Sequence, residues 1–317
     1  MSHLNVKVAA IEQVTEHVKH FTFISENGEK LPAFSGGSHV VLALNINGRI
    51  HRNPYSLMSS PLNTEHYGVS VRKQEMSRGG SVFMHEQIKV GSRIQITYPV
   101  NLFSISKLSH KNILIAGGIG ITPFLSQIVD LNRMDTEYEL HYAYRSPEHG
   151  AFRQQIEDMC GERSHFYVAS DGQILDFYAL LSKQPLGTHV YVCGPEPMVN
   201  AMIAAARDLG WPEKHIHNEQ FTAPQAGESF KVKLALSNIE LEVPSEMSML
   251  EAIEEAGVDA PYLCRGGACG RCELDVVSCD GSIVHHDNYL TNAEKTGGKK
   301  IMPCVSRAKC QQIVVNL

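Results

Sequence analysis

Four cysteines in the last part of the sequence have the spacing of iron–sulfur ligands. Cys264, Cys269 and Cys272 form a C-x4-C-x2-C run, and Cys304 follows downstream in the stretch Met-Pro-Cys-Val. This is the spacing of plant-type [2Fe–2S] sites, whose fourth ligand is distant. Structural zinc sites generally use two paired short knuckles, and only one is present here, so zinc is the weaker alternative. The sequence therefore predicts a [2Fe–2S] cluster held by these four thiolates.

Glycines and arginines lie between these cysteines. A cluster with four thiolate ligands is anionic, so it needs backbone N–H donors close to its sulfurs. Gly266, Gly267 and Gly270 have no Cβ and let the chain approach that closely. Arg265 and Arg271 add positive charge. We expect both at the rim of the loop, where they could meet an acidic electron acceptor.

A second set of residues has the pattern of a dinucleotide site. The apolar stretch 113–116 is followed by glycines and then by a predicted helix. Pro123 lies in the first turn of that helix, where proline is favoured. A helix N-terminus after a strand offers free N–H groups and a positive dipole to a pyrophosphate. The pattern is not G-x-G-x-x-G, so it is not the standard fingerprint. The residues assigned to this loop are Gly117, Gly118, Gly120, Thr122 and Pro123.

Another strand end turns in a similar way in Tyr-Val-Cys-Gly-Pro-Glu-Pro-Met, residues 191–198. Ligands of α/β sheets bind beyond the carboxyl ends of the strands, so both turns are expected at one edge of a sheet. Taken singly, each turn could reflect only tight packing of a strand on a helix. The residues assigned to this second turn are Cys193, Gly194, Pro195 and Met198.

The choice between NADH and NADPH depends on the loops after two further strands. Arg145 and Ser146 could hold a 2′-phosphate, whereas Asp171 on the next strand end could bind a free ribose hydroxyl. Each of these residues could equally be a solvated loop residue.

Two segments of the N-terminal third could hold a second, phosphate-bearing cofactor. Residues 77–81 precede a short helical stretch and combine backbone amides, hydroxyl groups and a guanidinium. A glycine-rich turn with a surface arginine is the alternative. The residues assigned to this cradle are Arg78, Gly79, Gly80 and Ser81. Upstream of them, residues 52–57 close a β segment with the sequence Arg-Asn-Pro-Tyr-Ser-Leu.

The pattern of predicted strands and helices changes twice along the chain, which predicts three domains that position these motifs. Residues 1–108 alternate short apolar strands with Gly, Pro and Asn, which predicts an antiparallel β-barrel or sandwich. Residues 109–225 alternate strand and helix patterns, which predicts an α/β domain with a parallel sheet covered on both faces. Residues 226–317 combine hairpin-like strands, a helix and the cysteine loop.

Composition excludes several classes of protein. The 317 residues carry a net charge of −6 and show no basic stripe, so nucleic-acid binding is not expected. No apolar run approaches the roughly 20 residues of a membrane span, and the N-terminus lacks the apolar core of a signal peptide. Six of the eight cysteines lie from residue 264 onward, which favours metal binding in a reducing cytoplasm.

These motifs together resemble the phthalate dioxygenase reductase family, whose flavin is FMN. Residues 226–317 look like a plant-type ferredoxin with a β-grasp fold. AGGIGITPF and CGPEPM resemble the nicotinamide half of ferredoxin–NADP reductases. The order flavin, nicotinamide, ferredoxin distinguishes the family from relatives with an N-terminal ferredoxin. Within it, NPYSLMSSP, SRGGS and AGGIGITPFLS are similar to the reductase components of carnitine monooxygenases, with vanillate demethylase reductases nearby.

The resemblance implies a flavin site around residues 52–57, which are similar to the family motif R-x-Y-S. In that motif the Tyr packs on the flavin and the Ser lies near its N5 atom. The usual Arg position holds Asn53 here, and Arg52, one residue earlier, is expected to reach the flavin phosphate. The residues assigned to the flavin are Arg52, Tyr55, Ser56 and Leu57.

The resemblance also implies the residues that touch the reacting rings. They are Ser56, Cys193, whose turn holds the nicotinamide, and Phe221, whose ring packs near the flavin; these three are assigned as catalytic. An ordinary core phenylalanine is the alternative for Phe221.

The implied activity is electron transfer from NADH to a partner protein. A hydride from NADH reaches the flavin, FMN or alternatively FAD, and electrons then leave singly through the [2Fe–2S] cluster. The implied acceptor is a separate Rieske-type oxygenase, such as carnitine monooxygenase. Other acceptors stay open: a vanillate or other aromatic demethylase, a hybrid-cluster protein or a cytochrome P450. A redox sensor without catalysis is a further alternative, and the chain by itself is expected to be monomeric.

Overall fold

The computed structural model describes residues 3–74, 77–221 and 224–317. By backbone proximity it divides into two compact units, Met1–Gln220 and Phe221–Leu317. The first unit contains one antiparallel and one parallel sheet, and the second contains a mixed sheet and a two-stranded sheet. The domain boundaries predicted after residues 108 and 225 stay predictions.

The first sheet is antiparallel throughout, with strand order β4-β3-β6-β1-β2-β5 and β7 paired to β3. Its strands are β1 (His3–Thr15), β2 (Val18–Ser25), β3 (Ser38–Ile46), β4 (Arg49–Ser56), β5 (Tyr67–Arg72), β6 (Arg93–Thr97) and β7 (Val100–Asn101). Alternate side chains of these strands fill one core, and Met84 of the short helix α1 (Gly80–Glu86) joins it. The predicted antiparallel β-barrel is confirmed.

The β3–β4 hairpin sets the position of residues 52–57. Its turn is the dipeptide Asn47-Gly48, and both residues have positive φ, 53° and 83°. This is the turn chemistry that a two-residue hairpin requires. The resulting register pairs Val40 with Tyr55 and His39 with Ser56. Pro54 is tolerated in β4 because β4 lies at the end of the hydrogen-bonded strand order.

The second sheet is parallel, with the order β10-β9-β8-β11-β12. Its strands are β8 (Lys111–Gly117), β9 (Glu137–Tyr144), β10 (Ser164–Val168), β11 (Thr188–Cys193) and β12 (Ile216–Glu219). The order starts in the middle of the sheet and proceeds outward in both directions, as in doubly wound folds. Both glycine turns therefore follow the carboxyl ends of adjacent central strands.

Helices cover both faces of the parallel sheet. They are α2 (Thr122–Arg133), α3 (Arg153–Cys160), α4 (Phe177–Leu181) and α5 (Glu196–Asp208). Side chains of α2 and α3 share a core with Leu140 and Tyr142, whereas α4 and α5 share another with Ile113 and Ile115. The all-apolar centre of β8 is explained by this burial on both faces. The predicted parallel α/β fold is confirmed.

Two glycines join the loop before β3 to helix α2. A Cβ on Gly36 would lie 2.6 Å from the Cα of Gln127. The Gly36 N–H donates to Asp130 Oδ2 at 2.7 Å, and the Gly37 N–H donates to Ser126 Oγ at 3.1 Å. The barrel and the helix of the glycine turn are thus fixed to each other by backbone-level contacts.

The second unit is a β-grasp. Its mixed sheet has the order β14-β13-β19-β15-β17, and β13 and β19 are parallel. Its strands are β13 (Phe230–Leu234), β14 (Ile239–Val243), β15 (Leu274–Cys279), β16 (Ser282–Val284), β17 (Lys300–Ile301), β18 (Arg307–Lys309) and β19 (Gln312–Val315). Helix α6 (Met249–Glu255) packs into its core after a Ser248–Glu251 capping box, and α7 spans Asn292–Gly297.

Among the described residues, no helix is both long enough and apolar enough to cross a membrane.

Candidate flavin, nicotinamide and iron–sulfur sites

The four cysteines of the predicted cluster come together in the second unit. The Sγ atoms of Cys272 and Cys304 are 3.2 Å apart, and both side chains are buried. The hydrogen bond that Cys264 shares with Cys269 lowers the pKa of Cys264 to about 5 and raises that of Cys269. In the same way Cys272 has a lowered pKa and Cys304 a raised one. Three thiols on the segment 264–272 and one on a separate loop thus already associate in two pairs, as a shared metal centre requires.

Backbone donors surround these sulfurs. The Gly266 N–H donates to Cys264 Sγ at 3.4 Å, and the N–H groups of Ala268 and Cys269 contribute to the lowered pKa of that thiol. Gly267 and Gly270 both have φ of 72°. A Cβ on Gly267 would lie 2.6 Å from Val305 Cγ2, and one on Gly270 would lie 2.2 Å from the Tyr289 ring. The loop therefore needs glycine for its conformation and for its packing, and it fits an anionic cluster.

Arg265 does not lie at the rim of the loop. Its side chain is buried, forms an ion pair with Glu254 and stacks on the ring of Tyr262, with 3.8 Å between the guanidinium carbon and the ring centre. The expectation that it meets a partner protein was wrong, since a paired, desolvated guanidinium packs into the fold. Arg271 is exposed, as expected.

Hydrogen bonds of Asp287 and its neighbour Asn288 hold the cysteine loop in place. Its buried carboxylate accepts from the Leu290 N–H at 2.9 Å and from Ser306 Oγ at 3.1 Å. The Asn288 N–H donates to the Gly267 carbonyl at 3.0 Å. The stretch 287–290 therefore links the glycine loop to the segment that follows Cys304.

The two glycine turns of the first unit meet at the carboxyl edge of the parallel sheet. A Cβ on Gly120 would lie 2.2 Å from the Cys193 carbonyl oxygen, and one on Gly117 would lie 2.6 Å from Met198 Sδ. Gly194 approaches Gly117 as closely, with 3.0 Å from its Cβ position to the Gly117 Cα. The structure thus brings the two predicted halves of the dinucleotide site together.

Two of the residues assigned to these turns have polar side-chain groups that are already hydrogen-bonded or buried. Thr122 is buried, and its hydroxyl donates to the Ile119 carbonyl at 3.0 Å. Cys193 is fully buried, and this burial raises the pKa of its thiol. Pro123 is buried in the first turn of α2. Their assignment to the nicotinamide stays a prediction, and for Cys193 the backbone rather than the thiol is the group at the turn.

The residues predicted to decide between NADH and NADPH lie on adjacent loops at the carboxyl edge of the parallel sheet. Arg145 follows β9 and Asp171 follows β10, and both are exposed. The loops touch through the Ser170 N–H, which donates to the Arg145 carbonyl at 2.8 Å. Ser146 is hydrogen-bonded to His149 Nδ1 at 2.8 Å. Arg145 and Asp171 are thus both exposed at this edge, and their contact with a ribose stays a prediction.

Strand alternation divides the predicted flavin residues between two faces of β4. Tyr55 and Asn53 pair with Val40 and Leu42, which point into the barrel core. Arg52 pairs with Ala43 and therefore lies on the opposite face, together with Ser56. Leu57 is fully buried in the barrel core, which leaves only its backbone for a cofactor.

Asn53 was not assigned to the site by sequence reasoning, and the structure places it against the phosphate cradle. A Cβ on Gly80 would lie 2.7 Å from Asn53 Nδ2. Burial raises the pKa of the Tyr55 phenol, and a hydrogen bond with Asn53 opposes this effect. Asn53 therefore connects the predicted flavin tyrosine to Gly80. Period-two alternation with Tyr55 was the signal that could have identified it.

The cradle residues themselves form a compact turn. Gly79 has φ of 90°, which glycine alone adopts freely. Ser81 Oγ accepts from the Gln74 N–H at 3.1 Å, and Ser77 Oγ donates to the Gln74 carbonyl at 2.7 Å. Arg78 is half-buried beside Gly79. These residues lie together as predicted, while their contact with a phosphate stays a prediction.

His39 is a further residue that the sequence did not reveal. It is buried beside Ser56 in the β3–β4 register, and neither ring nitrogen has a hydrogen-bond partner among the described residues. Burial lowers its pKa to about 4, so the ring is neutral at pH 7. Unpartnered buried nitrogens beside Ser56 fit a polar cofactor at this face of the barrel. Phe221, at the start of the second unit, has a half-exposed ring, and its role stays a prediction.

The fold and these sites define a flavin- and iron–sulfur-containing reductase that takes its electrons from a pyridine nucleotide. Family models agree with each part of it. The model described as the oxidoreductase FAD-binding domain matches residues 5–105, and that of the 2Fe-2S iron-sulfur cluster binding domain matches residues 232–309. Between them, residues 94–216 match the N-terminal domain described as dimethylamine monooxygenase subunit DmmA-like.

Whole-chain relatives agree as well. The chain is 47% identical to the carnitine monooxygenase reductase subunit of Acinetobacter baumannii, covering 98% of this chain and 96% of that one. It is 42% identical to the heme-dependent oxidative N-demethylase beta subunit of Ectopseudomonas mendocina, covering 99% of each. The solved structure of phthalate dioxygenase reductase superposes with a TM-score of 0.88 and 31% identity, covering 100% of this chain and 98% of that one. The chain belongs to the phthalate dioxygenase reductase family of oxygenase reductase components.

Replacing Gly270 by alanine is expected to reduce cluster incorporation several-fold. The added methyl group would lie 2.2 Å from the Tyr289 ring, and the positive φ adds strain of about 1–3 kcal/mol. Iron and acid-labile sulfide per chain measure the effect. Gly257→Ala is the matched control, because its φ is 78° and nothing lies within 4 Å of the new Cβ. Equal iron content in both variants would show that the Tyr289 contact does not shape the loop.

Replacing Gly120 by alanine is expected to raise the KM for the pyridine nucleotide about tenfold, or ~1.4 kcal/mol, with flavin content unchanged. The methyl group would collide with the Cys193 carbonyl and separate the two turns. Steady-state reduction of an artificial acceptor gives KM. Gly161→Ala, with φ of 56° and open space around its Cβ, should leave KM unchanged. An unchanged KM in Gly120→Ala would remove this edge from the nucleotide site.

Asn53→Ala is expected to weaken flavin binding about fivefold to tenfold, or ~1–1.5 kcal/mol, by removing its contacts with Tyr55 and Gly80. Fluorescence of the released flavin during dilution measures the dissociation constant. Asn63→Ala is the control, because that side chain accepts from the Glu65 N–H in a loop away from the cradle. Arg52→Gln completes the comparison. Loss of flavin in Arg52→Gln, with retention in Asn53→Ala, would assign the phosphate contact to Arg52 instead.

Proposed function

We propose that this chain is the NADH-dependent, FMN-containing reductase of a carnitine-type monooxygenase and that its acceptor is a separate Rieske-type oxygenase. One observation carries the choice of partner: 47% identity, over 98% of the chain, to a protein named as a carnitine monooxygenase reductase subunit. The class of activity, electron transfer from a pyridine nucleotide through flavin and [2Fe–2S] to an oxygenase, is that of the family.

The flavin residues follow from the β3–β4 hairpin. When bound, the flavin accepts two electrons from the nucleotide and releases them singly, which matches a one-electron cluster. Tyr55 packs against its ring system, and Ser56 lies at the reacting edge. His39 lies beside Ser56, is neutral and has no hydrogen-bond partner within the described part of the chain, so it offers the flavin a hydrogen bond. Asn53 positions the tyrosine and the start of α1.

The choice of FMN rests on the phosphate cradle. It consists of Arg78, Gly79, Gly80 and Ser81, which form one turn beside Asn53. One terminal phosphate needs one such cradle, whereas FAD also needs room for a pyrophosphate and an adenosine. Arg52 remains a second candidate for the phosphate contact. Membership in the phthalate dioxygenase reductase family supports the same choice of FMN.

The choice of NADH rests on the carboxyl edge of the parallel sheet. Gly117 and Gly120 let the two turns approach each other, and Gly118, whose Cβ position is open, leaves room for the pyrophosphate. Thr122 and Pro123 start the helix beneath it. The Cys193-Gly194 backbone, followed by Pro195 and Met198, borders the nicotinamide. Asp171 is exposed at the ribose end and would repel a 2′-phosphate, which favours NADH. Arg145 and Ser146 next to it are the residues that could reverse this preference.

The cluster ligands are Cys264, Cys269, Cys272 and Cys304, and electrons leave through them. Phe221 is proposed to lie near the flavin ring. We keep the predicted domain boundaries, 1–108, 109–225 and 226–317, and a monomeric reductase that binds its oxygenase transiently. The eight cysteines are free, which supports a reducing cytoplasm as the compartment.

A second candidate acceptor is a heme-dependent amine demethylase. The 42% identity over 99% of both chains to a heme-dependent oxidative N-demethylase beta subunit favours it. The match of residues 94–216 to a dimethylamine monooxygenase family model points in the same direction. Both candidates use the same electron path and differ only in the partner.

An anaerobic titration with NADH, followed by visible absorbance and EPR, tests the electron path. We expect bleaching of the flavin and the cluster, together with the EPR signal of a reduced [2Fe–2S] centre. NADPH at the same concentrations should reduce the protein at least about tenfold more slowly, given the ~1.4 kcal/mol that one repelled charge provides. Chromatography of the released cofactor should give FMN. A bleached flavin in an EPR-silent protein would exclude the cluster assignment.

The partner is tested by reconstitution under air. The purified chain is mixed with a carnitine monooxygenase oxygenase component or with a heme-dependent N-demethylase, each with its own substrate. We expect substrate-dependent NADH oxidation with the carnitine system. Coupled turnover with the heme protein alone would replace the proposed partner by the second candidate and leave the electron path intact.

A further inference from the structure

A group of polar residues on the parallel sheet is not used by any of the sites above. Glu139 and His141 lie on β9, and His165 lies opposite His141 on the neighbouring strand β10. We propose that Glu139, His141 and His165 bind one divalent transition-metal ion of the zinc class. The group lies on the sheet face that carries Ile113 and Ile115, away from the glycine turns at the carboxyl edge.

The distances between ligand atoms suit such an ion. One ligand atom from each of the three residues lies within 4.8 Å of the others. His141 Nε2 and Glu139 Oε2 are 3.3 Å apart. Two ligands of tetrahedral zinc, each bound at about 2.0–2.1 Å, lie roughly 3.3–3.4 Å apart. The His141–Glu139 pair therefore already has the separation of two ligands of one metal ion.

The imidazoles of His141 and His165 are placed to ligate side by side. Their strands are parallel and pair these two residues directly, and the rings stack with 4.8 Å between their centres and 23° between their planes. One ring nitrogen of His165 already lies within 4.8 Å of a ligand atom of Glu139 and of one of His141. Two histidines and one carboxylate are a common ligand set of zinc, with water completing the tetrahedron.

Residues around the group would orient its ligands. His141 Nδ1 is 3.0 Å from Tyr167 Oη, so a ring that binds metal through Nε2 can donate its Nδ1–H to that oxygen. Lys111 Nζ is 2.6 Å from Glu139 Oε1 and leaves Oε2 directed at His141. Metal-bound histidines and carboxylates generally have such outer partners.

The net charge of the side chains around the group favours a bound cation, although Lys111 is close to Glu139. Lys111 is shared by two carboxylates, those of Glu137 at 3.4 Å and Glu139 at 2.6 Å, so the three side chains carry one net negative charge. Burial and the neighbouring His165 lower the pKa of His141 to about 4. The imidazole is therefore unprotonated at neutral pH and does not have to lose a proton to bind metal.

Metal binding here would stabilise the fold rather than take part in electron transfer. β10 is an edge strand whose partner in the sheet is β9. An ion held by both strands would fasten that edge, and the melting temperature of the protein would rise as the free zinc concentration exceeds the dissociation constant. NADH oxidation should be unchanged, because no residue of the group belongs to the proposed nicotinamide site.

The test uses the full chain with flavin and iron–sulfur cluster, purified without a histidine tag and treated with a mild chelator. Zinc chloride is added, and bound zinc per chain, its dissociation constant by calorimetry and the melting temperature are measured. We expect one zinc per chain and a raised melting temperature. His141→Ala and His165→Ala should each weaken binding at least tenfold, and Glu139→Gln should weaken it to a smaller extent, with unchanged iron, flavin and NADH oxidation.

His217→Ala is the matched control. This histidine lies on β12 of the same sheet, is hydrogen-bonded to His189 at 2.9 Å and stacks on Tyr191. Within residues 3–74, 77–221 and 224–317 it belongs to no metal-ligand group that includes a carboxylate. Zinc binding should persist in this variant. Equal zinc affinity in wild-type, His141→Ala and His165→Ala proteins, or loss of binding in His217→Ala alone, would overturn the proposal. The cysteine ligands are the same in every variant, so zinc at the cluster site cannot produce the expected difference.

Discussion

Close approach of neighbouring groups to the main chain at a few glycines is the constraint on which the nucleotide turns and the cysteine loop depend. Gly120 lies so near the Cys193 carbonyl that a Cβ would be 2.2 Å from its oxygen, and Gly36 approaches the backbone of helix α2 in the same way. In the second unit, Gly267 and Gly270 allow the cysteine loop to pack under Val305 and Tyr289. Phosphates and iron–sulfur clusters are bound largely by main-chain N–H groups, and side chains at these positions would keep the main chain too far away.

Charged side chains are buried and paired at the cysteine loop but exposed at the carboxyl edge of the parallel sheet. In the second unit the chain buries an ion pair, Arg265 with Glu254, directly behind the cysteine loop and under the ring of Tyr262. A buried pair of this kind contributes little net stability but is costly to break, so it fixes the conformation of a residue that has positive φ. In the first unit, Arg145 and Asp171 are left exposed at the strand edge. Exposed charges can select a ligand, whereas buried ones hold the shape of a loop.

Much of the site could be predicted because its motifs are local. The C-x4-C-x2-C run and the two glycine turns are each contained within about ten residues, and their spacing follows from the chemistry they support. The flavin site was harder, since its polar residues come from separate strands. Arg52 was favoured over Asn53 by charge, but the face of a strand on which a residue lies depends on register, and register was set by the Asn47-Gly48 turn. His39 was missed for the same reason: only pairing with Ser56 shows where it lies.

The sequence by itself determined the class of fold, the order of the parts and the four cysteines, because local periodicity and ligand spacing are written along the chain. Only the tertiary structure decided which residues meet across strands and loops. It buried Arg265, which had been expected at the rim of the cysteine loop, and it brought Glu139, His141 and His165 together from two strands. It also joined the turns at Gly117 and Gly194, which lie far apart in sequence. The physical reason is that burial and pairing depend on long-range packing, which no local pattern specifies.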